Sequence, residues 1–270
     1  MFSKYIVIIK GGGDIATAVA YKLFRAGFKV IITELEKPMM VRRTVSFANC
    51  IYEKEWTVEG VTSAFAEKEK DIERILKSGK IPVFVDPACK ILEKIQPTIL
   101  IDAILAKKNC GTQITDAPIV IALGPGFTAG LDVDAVIETN RGHQLGRILF
   151  EGKADANTGV PGPIKGYTIE RVLRAPCMGI VKNHVEIGDF INKGERICSV
   201  GDLVVNAEID GVVRGLIKDG LFVKKNEKIG DIDPRKDKKY CSLISDKGRN
   251  VAGGVLEAIL ILLQRGQVYL

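Results

Sequence analysis

Four groups of residues in this chain have types and spacings suited to chemistry. In the first, Gly11-Gly12-Gly13-Asp14-Ile15-Ala16, residues Gly11, Gly13 and Ala16 fit a G-x-G-x-x-A pattern. Gly11 permits a tight turn, Gly13 lets backbone approach a pyrophosphate, and Ala16 allows close helix packing. Glu34 ends the apolar run that follows, where a carboxylate can accept from ribose hydroxyls and repel a 2′-phosphate. Asp14 has two readings: a cap that complements the helix dipole, or an acid that discourages phosphate and holds a metal or a substrate hydroxyl. The second group is Arg141-Gly142-His143 with Arg147, in which His143 suits acid/base work or anion contact, and equally a solvated turn. The third is Gly124-Pro125-Gly126-Phe127, whose amides could cradle an anion or serve as an ordinary turn. The fourth is Cys110, preceded by Lys107 and Lys108 and followed by Gly111: an activated thiol or a plain loop thiol. Asp132 and Asp134 are too few ligands for a cation, so no metal site is expected. His184 reads as a structural mid-strand residue.

The elements that must hold these groups begin with an apolar run at Tyr5–Ile9, an amphipathic helix, and a second apolar run ending at Glu34. A short helix is expected around Met39–Thr44 and a third strand near Asn49–Tyr52. A long helix is expected over Thr57–Ser78, with Val61, Phe65, Ile72 and Ile75 on one face. Ile81–Val85 and Thr98–Asp102 are further strands, with a short helix at Pro87–Ile95 between them. This alternation predicts an α/β fold whose N-terminal, doubly wound parallel sheet is Rossmann-like, with its crevice past the strand C-termini. Gly11–Asp14, Glu34, Asp86 and Asp102 then share one rim, although the last two could equally be caps. The division expected is a nucleotide-binding domain over 1–110 and a β-rich domain over 111–270. The latter begins with strands at Ile119–Leu123, Ala135–Thr139 and Gly146–Phe150 and a shaped loop at Asn157–Gly166. A helix over Arg249–Gln264 closes the chain.

Within the β-rich region, Gly179–Gly201 aligns without gaps to Gly211–Asp233, pairing Gly188 with Gly220, Phe190 with Phe222 and Glu195 with Glu227. Such a repeat suits short strands that close on a two-fold related copy. The module at 175–234 resembles a barrel-sandwich hybrid of the biotinyl/lipoyl type. Its central hairpin, Cys198–Asp210, contains no lysine and so cannot carry either group.

Composition narrows the classes of function. A net charge of +6 is spread among interspersed acids and bases, which argues against a nucleic-acid partner. The chain enters its first strand directly, so no secretory signal is expected, and Val255–Leu263 is too short to span a bilayer. The six cysteines are scattered, without CxxC spacing, as expected for mostly buried thiols in a reducing cytoplasm. There is no Tyr-x-x-x-Lys pair, GxSxG, HExxH or Walker lysine.

Several stretches together resemble one family: GGGDIATAVA, MVRRTVSFANCIYEKEWTVEGV, ALGPGFTAGLDVDAVIETNRGHQLGRI and NTGVPGPIKGYTIERVLRAP. They are similar to the YqeB-type family associated with selenium-dependent molybdenum hydroxylases, and the Rossmann part is distantly similar to XdhC-like maturation factors. The resemblance implies an accessory role in preparing or inserting a molybdenum cofactor into a hydroxylase apoprotein. In that reading the crevice holds a nucleotide or a molybdopterin, Gly11–Ala16 grips phosphate, and Arg42, Arg43, Arg141 and His143 add anion contacts. Cys110 would then handle a chalcogen. An NAD-dependent oxidoreductase and a non-catalytic dinucleotide-sensing module remain the alternatives, and homo-oligomerisation stays open.

Overall fold

Residues 2–266 are described by the computed structural model. They fall into two compact units, one of residues up to 36, 47–157 and from 244 onward, the other of 37–46 and 158–243. The fold is mixed α/β.

The first unit is built on a nine-stranded sheet of β1 (Ile6–Lys10), β2 (Lys29–Glu34), β3 (Glu55–Val58), β4 (Val61–Ala66), β5 (Ile81–Val85), β6 (Ile99–Asp102), β7 (Ile119–Leu123), β8 (Ala135–Ile137) and β9 (Ile148–Leu149). Its order is β3-β4-β5-β2-β1-β6-β7-β8-β9. From β4 to β8 every pairing is parallel, and antiparallel β3 and β9 close the edges. The strands are continuous apolar runs because helices cover both faces. Ile8, Ile31, Leu100 and Val120 share a core cluster with Ile72 and Ile75 of α2 (Glu69–Lys77). The opposite face carries α1 (Asp14–Arg25) and the C-terminal helix α3 (Asp246–Gln264). These two pack through small residues: a Cβ on Gly248 would lie 2.9 Å from that of Ala18. Ser245 caps α3 by accepting from the Gly248 N–H at 3.0 Å. Among the described residues no helix is long and apolar enough to cross a membrane.

Three expected elements differ. The long helix over Thr57–Ser78 is a hairpin followed by a short helix. Val58 pairs with Val61 across Glu59 and Gly60, both at positive φ (46° and 84°), the two-residue turn that matches strand twist. The alternation of Trp56, Val58, Val61, Ser63 and Phe65 serves this hairpin. The strand expected at Asn49–Tyr52 is a one-turn helix, Cys50–Glu53, and Met39–Thr44 yields only a 3₁₀ turn at Arg43–Val45. The boundary expected after residue 110 also fails, because β7, β8 and β9 extend the same sheet.

The second unit contains β10 (Val172–Arg174), β11 (Gly179–Asn183), β12 (Phe190–Ile191), β13 (Arg196–Val200), β14 (Leu203–Asn206), β15 (Gly211–Leu216), β16 (Phe222–Val223) and β17 (Lys228–Asp233). They form two antiparallel sheets, β10-β17-β15-β12 and β14-β13-β11-β16. The repeat is visible in the pairing. The short second strand of each copy pairs with the first strand of the other, Phe190 with Val212 and Phe222 with Ile180. Neither copy can therefore complete its sheet alone. Repeat-related Val181 and Val213, with Ile197 and Ile229, fill the shared core.

Candidate site at the carboxyl rim of the parallel sheet

The strand order reverses between β1 and β6, whose neighbours lie on opposite sides. Loops leaving two such strands diverge, and the gap between them is where open α/β sheets take ligands. The glycine cluster sits there. Gly11 has a φ of 95°, and a Cβ on it would meet the Ala103 carbonyl oxygen at 3.1 Å. Gly12 is enclosed as well: a Cβ would lie 2.8 Å from that of Ala48, and its N–H donates to Glu34 Oε2 at 2.7 Å. Gly13, the N-cap of α1, is different. Nothing lies within 4 Å of its Cβ position, so the start of this helix is open. Ala16 is buried, as close packing of α1 requires. Two of the glycines thus serve protein packing and the third serves access.

Glu34 does not project freely. Its two oxygens accept from Gly12 and Leu35 N–H groups, both at 2.7 Å. Burial raises its carboxyl above the ordinary range, opposed by those two hydrogen bonds. Each oxygen keeps a lone pair for a hydroxyl donor. Asp86 and Asp102 lie on the same rim. Asp86 accepts from the Ile91 N–H at 2.8 Å, so its carboxylate is held by the turn that follows β5.

Asp102 belongs to a buried network that sequence reading missed. Lys10 Nζ donates to Thr112 Oγ1 at 2.6 Å, Thr112 donates to Asp102 Oδ2 at 2.6 Å, and the Lys10–Asp102 separation is 3.6 Å. All three side chains are buried. Lys10 and Asp102 are register partners at the ends of β1 and β6. Burying an ammonium ion is costly unless it is paired, and this chain of bonds ties the ends of β1 and β6 together. The signal available in the sequence was a lysine ending an otherwise apolar strand. Lys247, on the first turn of α3, was also missed. Burial lowers its pKa, helped by Arg141 and opposed by Asp14, Glu138 and Asp246. Asp14 at the start of α1 and Arg141 thus both act electrostatically on this lysine.

The remaining candidates divide into those held in place and those exposed. Arg141 forms a two-pronged pair with Asp246, at 2.8 and 3.1 Å. His143 and Cys110 are exposed. Cys110 lies beside Lys107 and Lys108, against which the 124–127 loop packs: a Cβ on Gly126 would come 2.6 Å from Lys108 backbone. Gly124 is equally tight against Thr139 Oγ1, at 2.6 Å, so both glycines of this loop answer a steric need. Burial pushes the Cys50 thiol up to about 12 and that of Cys89 up to about 11. Arg42 and Arg43 belong to the second unit. Arg42 donates to the carbonyls of Tyr240 and Leu243 at 2.8 and 2.9 Å, and Arg43 to that of Leu216 at 2.7 Å. Asp132 and Asp134 accept from the N–H groups of Thr128 and Val120, each at 2.7 Å. His184 falls just past β11 and is exposed, not mid-strand.

A parallel sheet with a glycine turn at its order reversal makes this an α/β protein with its candidate site at the carboxyl rim. The chain belongs to the YqeB-type family: it is 50% identical over 261 residues to the uncharacterized protein YqeB of Escherichia coli (strain K12), a match covering 97% of this chain and 48% of that protein. It therefore spans about half the length of that curated relative. No family model matches. Among solved structures, the ectoine utilization protein EutE (DoeB) from Ruegeria pomeroyi is 9% identical, with 84% of this chain and 85% of that chain covered and a TM-score of 0.27. TcdA (CsdL) is also 9% identical, with 97% and 89% covered and a TM-score of 0.30. Likenesses this slight carry no argument.

Proposed function

We propose that the chain binds a phosphate-bearing cofactor, a nucleotide or a molybdopterin, at the carboxyl rim, and acts as an accessory protein in the maturation of molybdenum hydroxylases. The observation that carries the binding step is the open N-cap at Gly13, beside the strand-order reversal. There the positive dipole end of a twelve-residue helix favours an anion. Lys247, whose charge interacts with Asp14, adds a cation in this reading, and Lys10, Thr112 and Asp102 join the ends of β1 and β6. In this reading the sheet is a Rossmann-like nucleotide site. The antiparallel unit is a barrel-sandwich hybrid without a modifiable lysine, used for docking. The maturation role rests on the family resemblance, with a hydroxylase apoprotein as partner and Cys110 as the thiol open to a chalcogen.

Glu34 favours a second reading, an NAD-dependent oxidoreductase or a dinucleotide sensor. Its carboxylate stands beside the glycine turn with lone pairs for a ribose and a charge that repels a 2′-phosphate. Mass spectrometry of small molecules released from the purified full chain separates the two. Molybdopterin supports the first reading and NAD(H) the second. Gly13→Asp should lose either ligand by closing the backbone approach. If neither ligand is released and neither shifts the melting temperature when added, both readings fail.

A further inference from the structure

Away from the rim, α1 and α3 enclose a cleft of about 190 Å³ lined by Ala18, Tyr21, Lys22, Arg25, Ile244 and Arg249. Lys22 lies nine residues beyond Gly13, roughly 13 Å along the helix axis at 1.5 Å per residue, so the cleft is not part of the glycine turn. Buried Ala18 and Ile244 form its floor. Three cations line it, although the unit as a whole is neutral, with 21 basic against 21 acidic side chains.

The charges in the cleft are met unevenly. Lys22 donates to the Arg249 carbonyl at 3.2 Å and Arg25 to the Tyr21 hydroxyl at 3.3 Å, both neutral acceptors. The carboxylate at the edge, Glu59, is already committed to Arg249, at 2.8 and 2.7 Å, and to the Ile244 N–H at 2.7 Å. Lys22 and Arg25 complement the C-terminal dipole of α1. Arg249 lies near the N-terminus of α3, where the dipole disfavours a cation. Helix stability therefore does not explain why the third charge faces the other two.

We propose that this cleft is an anion site separate from the rim, taking a small multiply charged phosphate group of the size of a phosphomonoester headgroup or pyrophosphate. Lys22 would supply a point charge, Arg25 and Arg249 their planar forks, and Tyr21 a hydroxyl. The volume is below the 300–1,000 Å³ typical of drug-sized ligands, which restricts the site to a small headgroup.

The test is calorimetric titration of the full chain with sodium pyrophosphate at fixed ionic strength, in native and Gly13→Asp backgrounds. Binding should persist with Gly13→Asp, weaken at least tenfold in Lys22→Ala/Arg25→Ala, and tighten in Glu59→Gln, which removes the competing charge but keeps a carbonyl for Ile244. Arg25→Gln alone, at an exposed position, should weaken binding with an unchanged melting temperature. No binding at millimolar pyrophosphate, or equal affinity in the double variant, would overturn the site. So would binding of an acidic peptide in place of pyrophosphate, which would assign the cations to a protein partner. Loss of pyrophosphate binding with Gly13→Asp alone would return the anion to the rim.

Discussion

The two sheets of the antiparallel unit share one repeated segment, yet their outer faces differ sharply. On the sheet containing β15 and β17, Asp231 is bound by Arg214 and by Arg171 at 2.5 Å, while Asp233 is bound by Arg235 at 2.6 Å and by Arg214 at 3.3 Å. Both carboxylates are fully enclosed. On the sheet containing β11 and β13, the positions corresponding to Arg214, Asp231 and Asp233 are Lys182, Ser199 and Gly201. Lys182 is exposed opposite Ser199, and cross-strand neighbours Ile180 and Phe222 are each 60% exposed. Val212, the repeat counterpart of Ile180, is 0% exposed. Some inward positions match between the copies, Val181 with Val213 and Ile197 with Ile229, whereas these outward ones do not. Closing the fold thus depends on the shared core, which leaves each outer face free to take its own chemistry.

That contrast can be broken most strongly at Asp231. Asp231→Ala strands Arg171 and Arg214 without their carboxylate, and removing one partner of a buried pair typically costs about 3–5 kcal/mol. Chemical denaturation of the second unit should show a loss of that order, against less than about 1 kcal/mol for the counterpart Ser199→Ala. Equal losses would mean that the charged face stabilises no more than the bare one.

Acid should act on the same face. Burial raises the Asp233 carboxyl, but hydrogen bonds from Arg235, reinforced by the charges of Arg214 and Arg235, outweigh it and hold the group below its ordinary range. A depressed pKa contributes stability that is present above the unfolded value, about 3.9, and lost as pH falls through the folded one. Urea midpoints measured from pH 6 down to pH 2 should therefore fall in acid. The Asp233→Asn profile should start lower and fall less, and parallel profiles would remove Asp233 from the account.

The smallest effect is expected on the bare face. Phe222→Thr puts a β-branched residue of good strand propensity at an exposed position and should change stability by less than about 1 kcal/mol. Val212→Asp, on the opposite sheet, buries an unpaired charge and should cost several kcal/mol or prevent folding. A large loss from Phe222→Thr would show that Phe222 is needed for packing after all.

Much of this was legible in the sequence because the signals were local. The Tyr5–Ile9 run, the glycine turn and the Lys29–Glu34 strand follow from apolar periodicity and a turn only small residues can make. The repeat was legible because its copies align without gaps. The hairpin at Val58–Val61 was obscured: apolar residues spaced for one helical face also fit alternation across a two-residue turn, and the sheet beside it selects the strand.

The sequence by itself determined the parallel strands, the glycine turn at the end of β1, and a duplicated module without a modifiable lysine. Only the tertiary structure decided which glycine stays open, because that depends on Ala103 and Ala48 closing over Gly11 and Gly12 from distant parts of the chain. It likewise decided that Lys10 meets Thr112, 102 residues away, and that Arg141 is held by Asp246, 105 residues away. Such pairings are set by which chain segments the sheet brings together, and nothing in local spacing encodes them.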